Sequence, residues 1–197
     1  DGALYALDHD GARMWTFQRT APLYQVCVAT LADGTLAIAA GGVEQTLHLL
    51  SPNGQLLRSL ETEDCIRHVR AGRFLGEPGM QIAVATASSG LSGRLSLMLL
   101  DPATLEPFWR KSGLGQFAHN SGRRFFSMAS FDTNNDGADE ILLSHSWGDN
   151  GRVTAYDGRG NEIYSEADPA RIPRVSYRMN LLAPVEMPND RFILDLF

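Results

Sequence analysis

Long apolar runs are missing from this sequence. Stretches such as Leu36–Ala40 and Leu97–Leu100 are far too short for a helix to cross a bilayer, so no membrane span is expected. Basic charge is scarce as well. Seventeen Lys and Arg against 23 Asp and Glu leave a formal charge of −6, and Arg123-Arg124 is the only adjacent basic pair near a plausible loop site. A phosphate backbone requires a basic face, which argues against a nucleic-acid partner. Cysteine is limited to Cys27 and Cys65, both in or beside apolar strand-like stretches. Free buried thiols are therefore expected, although the two could pair in an oxidising compartment. With no CxxC and no Cys/His cluster, zinc and redox chemistry lose their usual ligands. No stretch sustains a 3.6-residue apolar period, so helix content should be low. A Ser-His-Asp motif, paired glutamates in a defined context and a nucleotide-binding glycine loop are all lacking. The sequence starts at Asp1-Gly2; any signal peptide would lie upstream or have been removed.

What is present is an ordinary globular composition, with 20% charged and 44% hydrophobic residues in 197. That is enough chain to bury a core without staples. Four segments share one pattern, an apolar strand, a turn and a second strand rich in large side chains: Leu4–Trp15, Leu47–Leu57, Leu97–Trp109 and Val153–Tyr164. Their turns carry Asp-Gly, Asn-Gly or Asp-Pro, which favour hairpin reversal because Gly and Asn tolerate positive φ and Pro cannot continue a central strand. The turn-opening residues Asp8, Ser51, Asp101 and Asp157 are spaced by 43, 50 and 56 residues. This is the period of a four-stranded propeller blade with variable loops.

A second hairpin alternates with the first. Its copies are Val28–Leu31 with Leu36–Ala40, His68–Ala71 with Gln81–Thr86, Phe125–Phe131 with Glu140–Ser144, and residues Tyr177–Val185 with Arg191–Leu196. Small and β-branched residues dominate their second strands, as suits strands packed between neighbouring blades. The expected fold is all-β, a β-propeller of four-stranded antiparallel blades at about 23–61, 65–112 and 123–167. A split blade would join residues 177–197 to residues 3–18. Either the ends meet in a four-bladed ring, or the chain is an arc of a larger propeller; the missing Met and abrupt ends favour the arc.

The sharpest chemistry lies in Asp132–Glu140. Oxygen-bearing Asp132, Asn134, Asp136 and Glu140 occupy its first, third, fifth and ninth positions, with Gly137 at the bend and the Ala138 carbonyl between them. Such a set can wrap a hard cation, and without one the carboxylates of Asp132, Asp136 and Glu140 would repel. Asp139 should point away, since residues entering a strand alternate faces. The loop resembles the FG-GAP/VCBS type of repeat, which implies one structural Ca2+ joining the first two strands of a blade. Aligning Ile82 with Ile141 without gaps puts Arg73, Leu75, Glu77 and Gln81 at the equivalent positions, so that loop should hold no metal. The short Asp33-Gly34 turn should hold none either.

The other hairpins resemble PQQ-like propeller repeats. Asp101, Thr104 and Trp109 keep that motif's spacing, with Leu105 in place of its usual Gly, and Asp8 to Trp15 is one residue shorter. The resemblance implies that Trp15 and Trp109 pack between blades as core residues; it does not imply quinone binding.

Blade topology gathers residues 88–93, 113–124 and 145–151 on the face opposite the cation loop. His119, Asn120, Arg123, Arg124, His145, Trp147, Asp149 and Asn150 there suit sugars or acidic groups, since a ring stacks on a pyranose while amides and guanidinium bind hydroxyls and carboxylates. The functional expectation is a non-catalytic, calcium-stabilised extracellular module binding a glycan or protein partner. The alternative is a polysaccharide lyase or hydrolase acting on an acidic glycan, because similar calcium-bearing propellers occur in pectin-degrading lyases. His119, His145 and Arg123 would then be the proton-transfer candidates.

Overall fold

The computed structural model describes residues 2–88, 94–116, 127–147, 150–166, 185–187 and 191–193. The described residues form strands joined by turns and contain no helix. Strands β1 (Gly2–Leu7) and β2 (Arg13–Arg19) make a two-stranded sheet. Three four-stranded antiparallel meanders follow. Blade one is β3 (Leu23–Thr30), β4 (Leu36–Gly42), β5 (Thr46–Leu50) and β6 (Leu56–Glu61). Blade two is β7 (Cys65–Gly72), β8 (Gln81–Ala87), β9 (Arg94–Leu100) and β10 (Pro107–Gln116). Blade three is β11 (Ser127–Phe131), β12 (Glu140–Trp147), β13 (Asn150–Tyr156) and β14 (Glu162–Glu166). Strands β15 (Val185–Met187) and β16 (Arg191–Ile193) pair separately.

The first strand of each blade is innermost. β7 lies against β3 on one side and β11 on the other, and Met80 N–H donates to Thr30 O at 2.7 Å across the first seam. Because side chains alternate along a strand, a blade buried on both sides feeds two cores. In β8, Ile82 and Val84 join Cys27, Ala29, Ala39, Leu47 and Leu49 in the seam with blade one. Ala83, Ala85 and Ala87 join Met128, Ile141 and Leu143 in the seam with blade three. Every residue of β8 is buried, so its Ile82–Ala85 stretch reads as a continuous apolar run rather than an alternating one. Each large side chain so buried contributes about 1.5–3 kcal/mol. A charge at Val84 would therefore break the first seam.

Small residues lie inside and larger ones further out: alanines occupy β4 and β8, and leucines β5 and β9.

The turns between third and fourth strands close as their opening residues require. Asp8 Oδ1 accepts from the N–H of Asp10 and Ala12, and Asp157 Oδ1 accepts from Arg159 and Asn161. Ser51 Oγ accepts from Gln55 N–H. Gly11, Gly54 and Gly160 then take φ near +80° (82°, 78° and 80°), where an L side chain is strained. In blade two the turn is one residue longer, and Leu105 takes the left-handed conformation at φ 62°. Its side chain is buried in the seam with blade one, which offsets a backbone cost of about 1–2 kcal/mol.

Candidate functional site

The cation-loop residues sit between β11 and β12, whose register Phe131↔Glu140 brackets eight residues. Blade two repeats this frame, with Gly72↔Gln81 around its own loop. The gapless alignment of the two loops therefore holds in three dimensions.

Within the loop, Asp132 Oδ1 accepts from Asp136 N–H at 3.2 Å and its Oδ2 from Gly137 N–H at 2.9 Å. Asn134 Oδ1 also accepts from Asp136 N–H, at 2.9 Å, and Asp136 Oδ1 accepts from Ala138 N–H at 2.8 Å. Asn135 takes the left-handed conformation at φ 61°, a region that Asn tolerates. These contacts bend the chain around Asp132, Asn134 and Asp136, whose short side chains can reach backbone two to five residues on.

Glu140 faces inward at 3% exposure. It accepts from Thr133 N–H at 2.7 Å, from the Thr133 hydroxyl, and from Asn134 Nδ2 at 3.1 Å. The salt bridges of the described residues involve Asp10, Glu44 and Glu63 but none of the loop carboxylates.

The donor types fit a hard cation, since all are oxygens and each carboxylate oxygen of Asp132 and Asp136 retains a lone pair. The arrangement is not a closed cage. Among the described residues, no three His, Cys, Asp or Glu side chains converge as metal ligands, and Glu140 is turned toward Thr133. A cation there would be held by Asp132, Asn134 and Asp136, with Glu140 joining by releasing Asn134.

Asp139 does turn away from the loop. Its Oδ2 accepts from Arg73 N–H at 2.8 Å and its own N–H donates to Arg73 O at 3.1 Å, stitching blade three to blade two. In blade two, Gln81 Oε1 accepts from Leu75 N–H at 3.0 Å, much as Glu140 accepts from Thr133. Arg73, where the first loop ligand would stand, extends its guanidinium to Gly137 O at 3.5 Å.

On the opposite face, His119, Asn120, Arg123 and Arg124 lie outside the described residues, as do Asp149 and residues 89–93. His145, Trp147 and Asn150 do not stand in a loop, as expected from sequence, but in strands. β12 and β13 pair His145↔Arg152 and continue to Trp147↔Asn150, because ladder hydrogen bonds are made by the backbone whatever the side chains.

Trp15 and Trp109 lie between blades, half-buried rather than in the core proper. Each indole N–H reaches the third-to-fourth strand turn of the next blade, Trp15 to Pro52 O at 2.9 Å and Trp109 to Gly158 O at 2.8 Å. Each ring lies over that turn's glycine, 2.6 Å from a Cβ added at Gly54 and 3.0 Å from one added at Gly160. Arg58 holds the equivalent register on β6 and donates from Nε to Ala103 O at 2.6 Å.

One polar cluster escaped the sequence reading. Glu44, between β4 and β5, accepts from Arg19 Nε at 2.9 Å and Arg19 Nη2 at 3.0 Å, and pairs with His48 Nε2. His48 is 2% exposed, contacts Ser59 Oγ at 3.2 Å through Nδ1, and meets the Phe17 ring edge-on at 5.3 Å between centroids. Burial pushes the Glu44 carboxyl up, but the Arg19 and His48 hydrogen bonds and charges outweigh it and leave the group below its ordinary range. A histidine within the apolar run Thr46–Leu50, four residues after a glutamate, was the available signal. Cys27 and Cys65 are free, and burial raises the Cys27 thiol to about 12.

Repeated four-stranded meanders packed around a common inner edge define a β-propeller. Residues 1–72 match the lambda-carrageenase beta-propeller domain family. Lambda-carrageenases of Pseudoalteromonas sp and Pseudoalteromonas carrageenovora are 36% identical over 63 residues, 32% of this chain and 7% of theirs. The chain thus spans only a small part of the length of these curated relatives. The matched region carries β1–β2, blade one and β7, and contains neither the cation loop nor the candidate ligand residues. Among solved structures, the Dos1 propeller overlays with a TM-score of 0.59 at 20% identity, over 85% of this chain and 42% of that one. The Neurospora crassa Pan2 WD40 domain overlays at 0.54 and 18%, over 84% and 46%. BamB from Moraxella catarrhalis overlays at 0.54 and 15%, over 84% and 42%. These likenesses concern the fold. No helix among the described residues is long and apolar enough to cross a membrane.

Proposed function

We propose that the chain is a propeller module of a polysaccharide-degrading protein acting outside the cell, and that it binds a glycan of the carrageenan kind. The similarity of residues 1–72 to the lambda-carrageenase propeller domain carries this reading. The binding surface would be the face bearing residues 113–124 and 145–151, with Arg123, Asn120, His119 and Trp147 supplying the charge, amide and ring contacts that glycans need. On the other face, one Ca2+ would brace the FG-GAP/VCBS-like loop of Asp132, Asn134, Asp136, Ala138 and Glu140. The support is the oxygen-only donor set of Asp132, Asn134 and Asp136, whose carboxylate oxygens keep lone pairs for a hard cation.

Affinity electrophoresis through lambda-carrageenan, against polygalacturonate and a neutral polysaccharide, tests the binding. Retardation by carrageenan, reduced in Arg123→Ala and Trp147→Ala, is the expected result; equal mobility in every gel would refute it. The relatives are named as enzymes, which favours a second reading in which this chain itself cleaves the glycan. Release of new reducing ends or of unsaturated product by the chain, lost in His119→Ala, His145→Ala or Arg123→Ala, would establish cleavage in place of simple binding.

A further inference from the structure

Arginine gathers on the inner strands of the blades, where no carboxylate answers it. The strands β3, β7 and β11 contain no Asp or Glu, although the chain carries a formal charge of −6. β7 holds Arg67 and Arg70, and neither takes part in a salt bridge among the described residues. Arg19 and Arg110, by contrast, are paired with Glu44 and Glu63.

Both inner guanidinium groups are nevertheless held in place by the neighbouring blade. Arg67 lies over the Tyr24 ring, its Cζ 5.8 Å from the centroid. Arg70 donates from Nη1 to Gln25 Oε1 at 2.9 Å and to Val69 O at 2.8 Å. The two arginines thus converge on consecutive residues of β3. A ring face and an amide oxygen orient a cation but leave its charge uncompensated. Among the described residues, Arg67 Nε is buried without a hydrogen-bond partner, and Arg70 bonds through Nη1 alone. Half-buried cations left in this way cost free energy that an anion would offset.

The backbone is shaped to the same end. The β3–β4 register shifts between Leu23 and Gln25, and the β7–β8 register between Ile66 and His68. Tyr24 and Arg67 are therefore the extra, bulged residues of their strands, and they are the pair that meets. A bulge re-aims a side chain out of the alternation of its strand. Both bulges lie near the strand starts. For β7 this is the end at which Gln116 leaves blade two, since Cys65 pairs with Ala87, Ala87 with Leu95, and Arg94 with Gln116. It is the end from which the glycan-binding face was proposed.

We propose that Arg67 and Arg70, backed by Tyr24 and Gln25, form an oxyanion site that takes a sulfate or carboxylate group of a bound glycan. For the identity of that ligand the site rests on the glycan-binding reading above; the binding of a small anion does not. A guanidinium fork offers two parallel N–H donors to two oxygens of one such group. A basic wall within an acidic chain would also orient an approaching polyanion.

Thermal unfolding in sodium sulfate, against sodium chloride of equal ionic strength, tests the site with the free anion. Sulfate should raise the native midpoint by about 2–4 °C more than that of Arg67→Gln/Arg70→Gln. Comparing the two proteins removes the general salting effect of sulfate. Tyr24→Leu, at a ring that is 48% exposed, should lose a large part of the gain by releasing Arg67, and it decides the matter if the double variant does not fold. In lambda-carrageenan gels the double variant should bind at least about tenfold more weakly, with no such difference in a desulfated galactan. The same loss in polygalacturonate would extend the site to carboxylates; a loss confined to carrageenan would restrict it to sulfate esters. Equal sulfate gains in native and variant chains would overturn the proposal. So would undiminished retardation of the double variant where Arg123→Ala is weakened, which would leave the glycan reading standing without this site. A native chain retarded in no gel would refute the glycan reading, and the sulfate response alone would then decide for or against the anion site.

Discussion

Trp109 donates its indole N–H to the carbonyl of Gly158 at 2.8 Å while its ring covers Gly160. Ring and hydrogen bond lock blade two to the turn of blade three, as Trp15 locks the first hairpin to blade one. Trp109→Phe keeps most of the apolar area and removes the donor, so it should cost about 1 kcal/mol. Gly160→Ala should cost more, about 1–3 kcal/mol, because it adds a left-handed penalty to a contact that leaves no room. Thermal unfolding of the two variants gives the order, and a milder Gly160→Ala would refute this account.

Leu105 holds a left-handed backbone at φ 62° for the sake of a buried side chain. Leu105→Gly relaxes the backbone but empties a place in the seam between blades one and two. Filling matters more than strain here, since a buried leucine truncation costs about 2–5 kcal/mol against 1–2 for the backbone. The variant should therefore unfold at a lower denaturant concentration than the native chain.

Glu44 ties β1–β2 to blade one. Its folded carboxyl lies below its ordinary range, so its contribution is present at neutral pH and fades as acid protonates it, below about pH 4. Arg19 is shifted upward by its hydrogen bond to Glu44 and stays charged throughout this window. Glu44→Gln should lower the unfolding midpoint at neutral pH by the equivalent of about 1–2 kcal/mol, allowing for solvent screening on the Arg19 side. It should also flatten the acid limb of the stability profile. Parallel profiles for the two proteins would remove Glu44 from the account.

Calcium should raise the unfolding midpoint relative to chelator. A cation at a hundredfold excess over its dissociation constant adds about 2.7 kcal/mol, and Asp136→Ala should lose most of that rise. The same Asp136→Ala change without calcium should matter little, since Asp136 is exposed and its carboxylate serves only Ala138 N–H in the loop. Equal midpoints with calcium and with chelator would leave the segment as a hairpin turn.

The blades were legible because their signals are local. Asp8, Ser51, Asp101 and Asp157 open turns by bonding to backbone two to four residues away, and any sequence window contains both partners. The loop alignment was legible for the same reason, being a fixed span between paired strands at Gln81 and Glu140. Three features were not. Leu105 disguises a position that glycine usually marks, because side-chain burial compensates its backbone. Arg58 replaces a Trp yet reaches the same kind of carbonyl, so chemistry changed while geometry stayed. The Arg19–Glu44–His48 cluster joins a hairpin to a neighbouring blade, and its contact depends on how two sheets pack rather than on spacing alone. Within the cation loop, residue types pointed to four oxygen ligands, but the turning of Glu140 toward Thr133 depends on a rotamer that spacing does not encode.

In blades one and two, alanine on the second strand and leucine on the third give the seam a wedge shape. Ala39 and Ala85 let the inner strands approach closely, while Leu49 and Leu99 hold the third strands apart. A wedge repeated from blade to blade is a curvature, and curvature decides how many blades complete a turn. The circumference of the ring is thus written in the ratio of small to large side chains along each seam, and a bulkier residue at Ala85 would straighten the arc before it unfolded the blade.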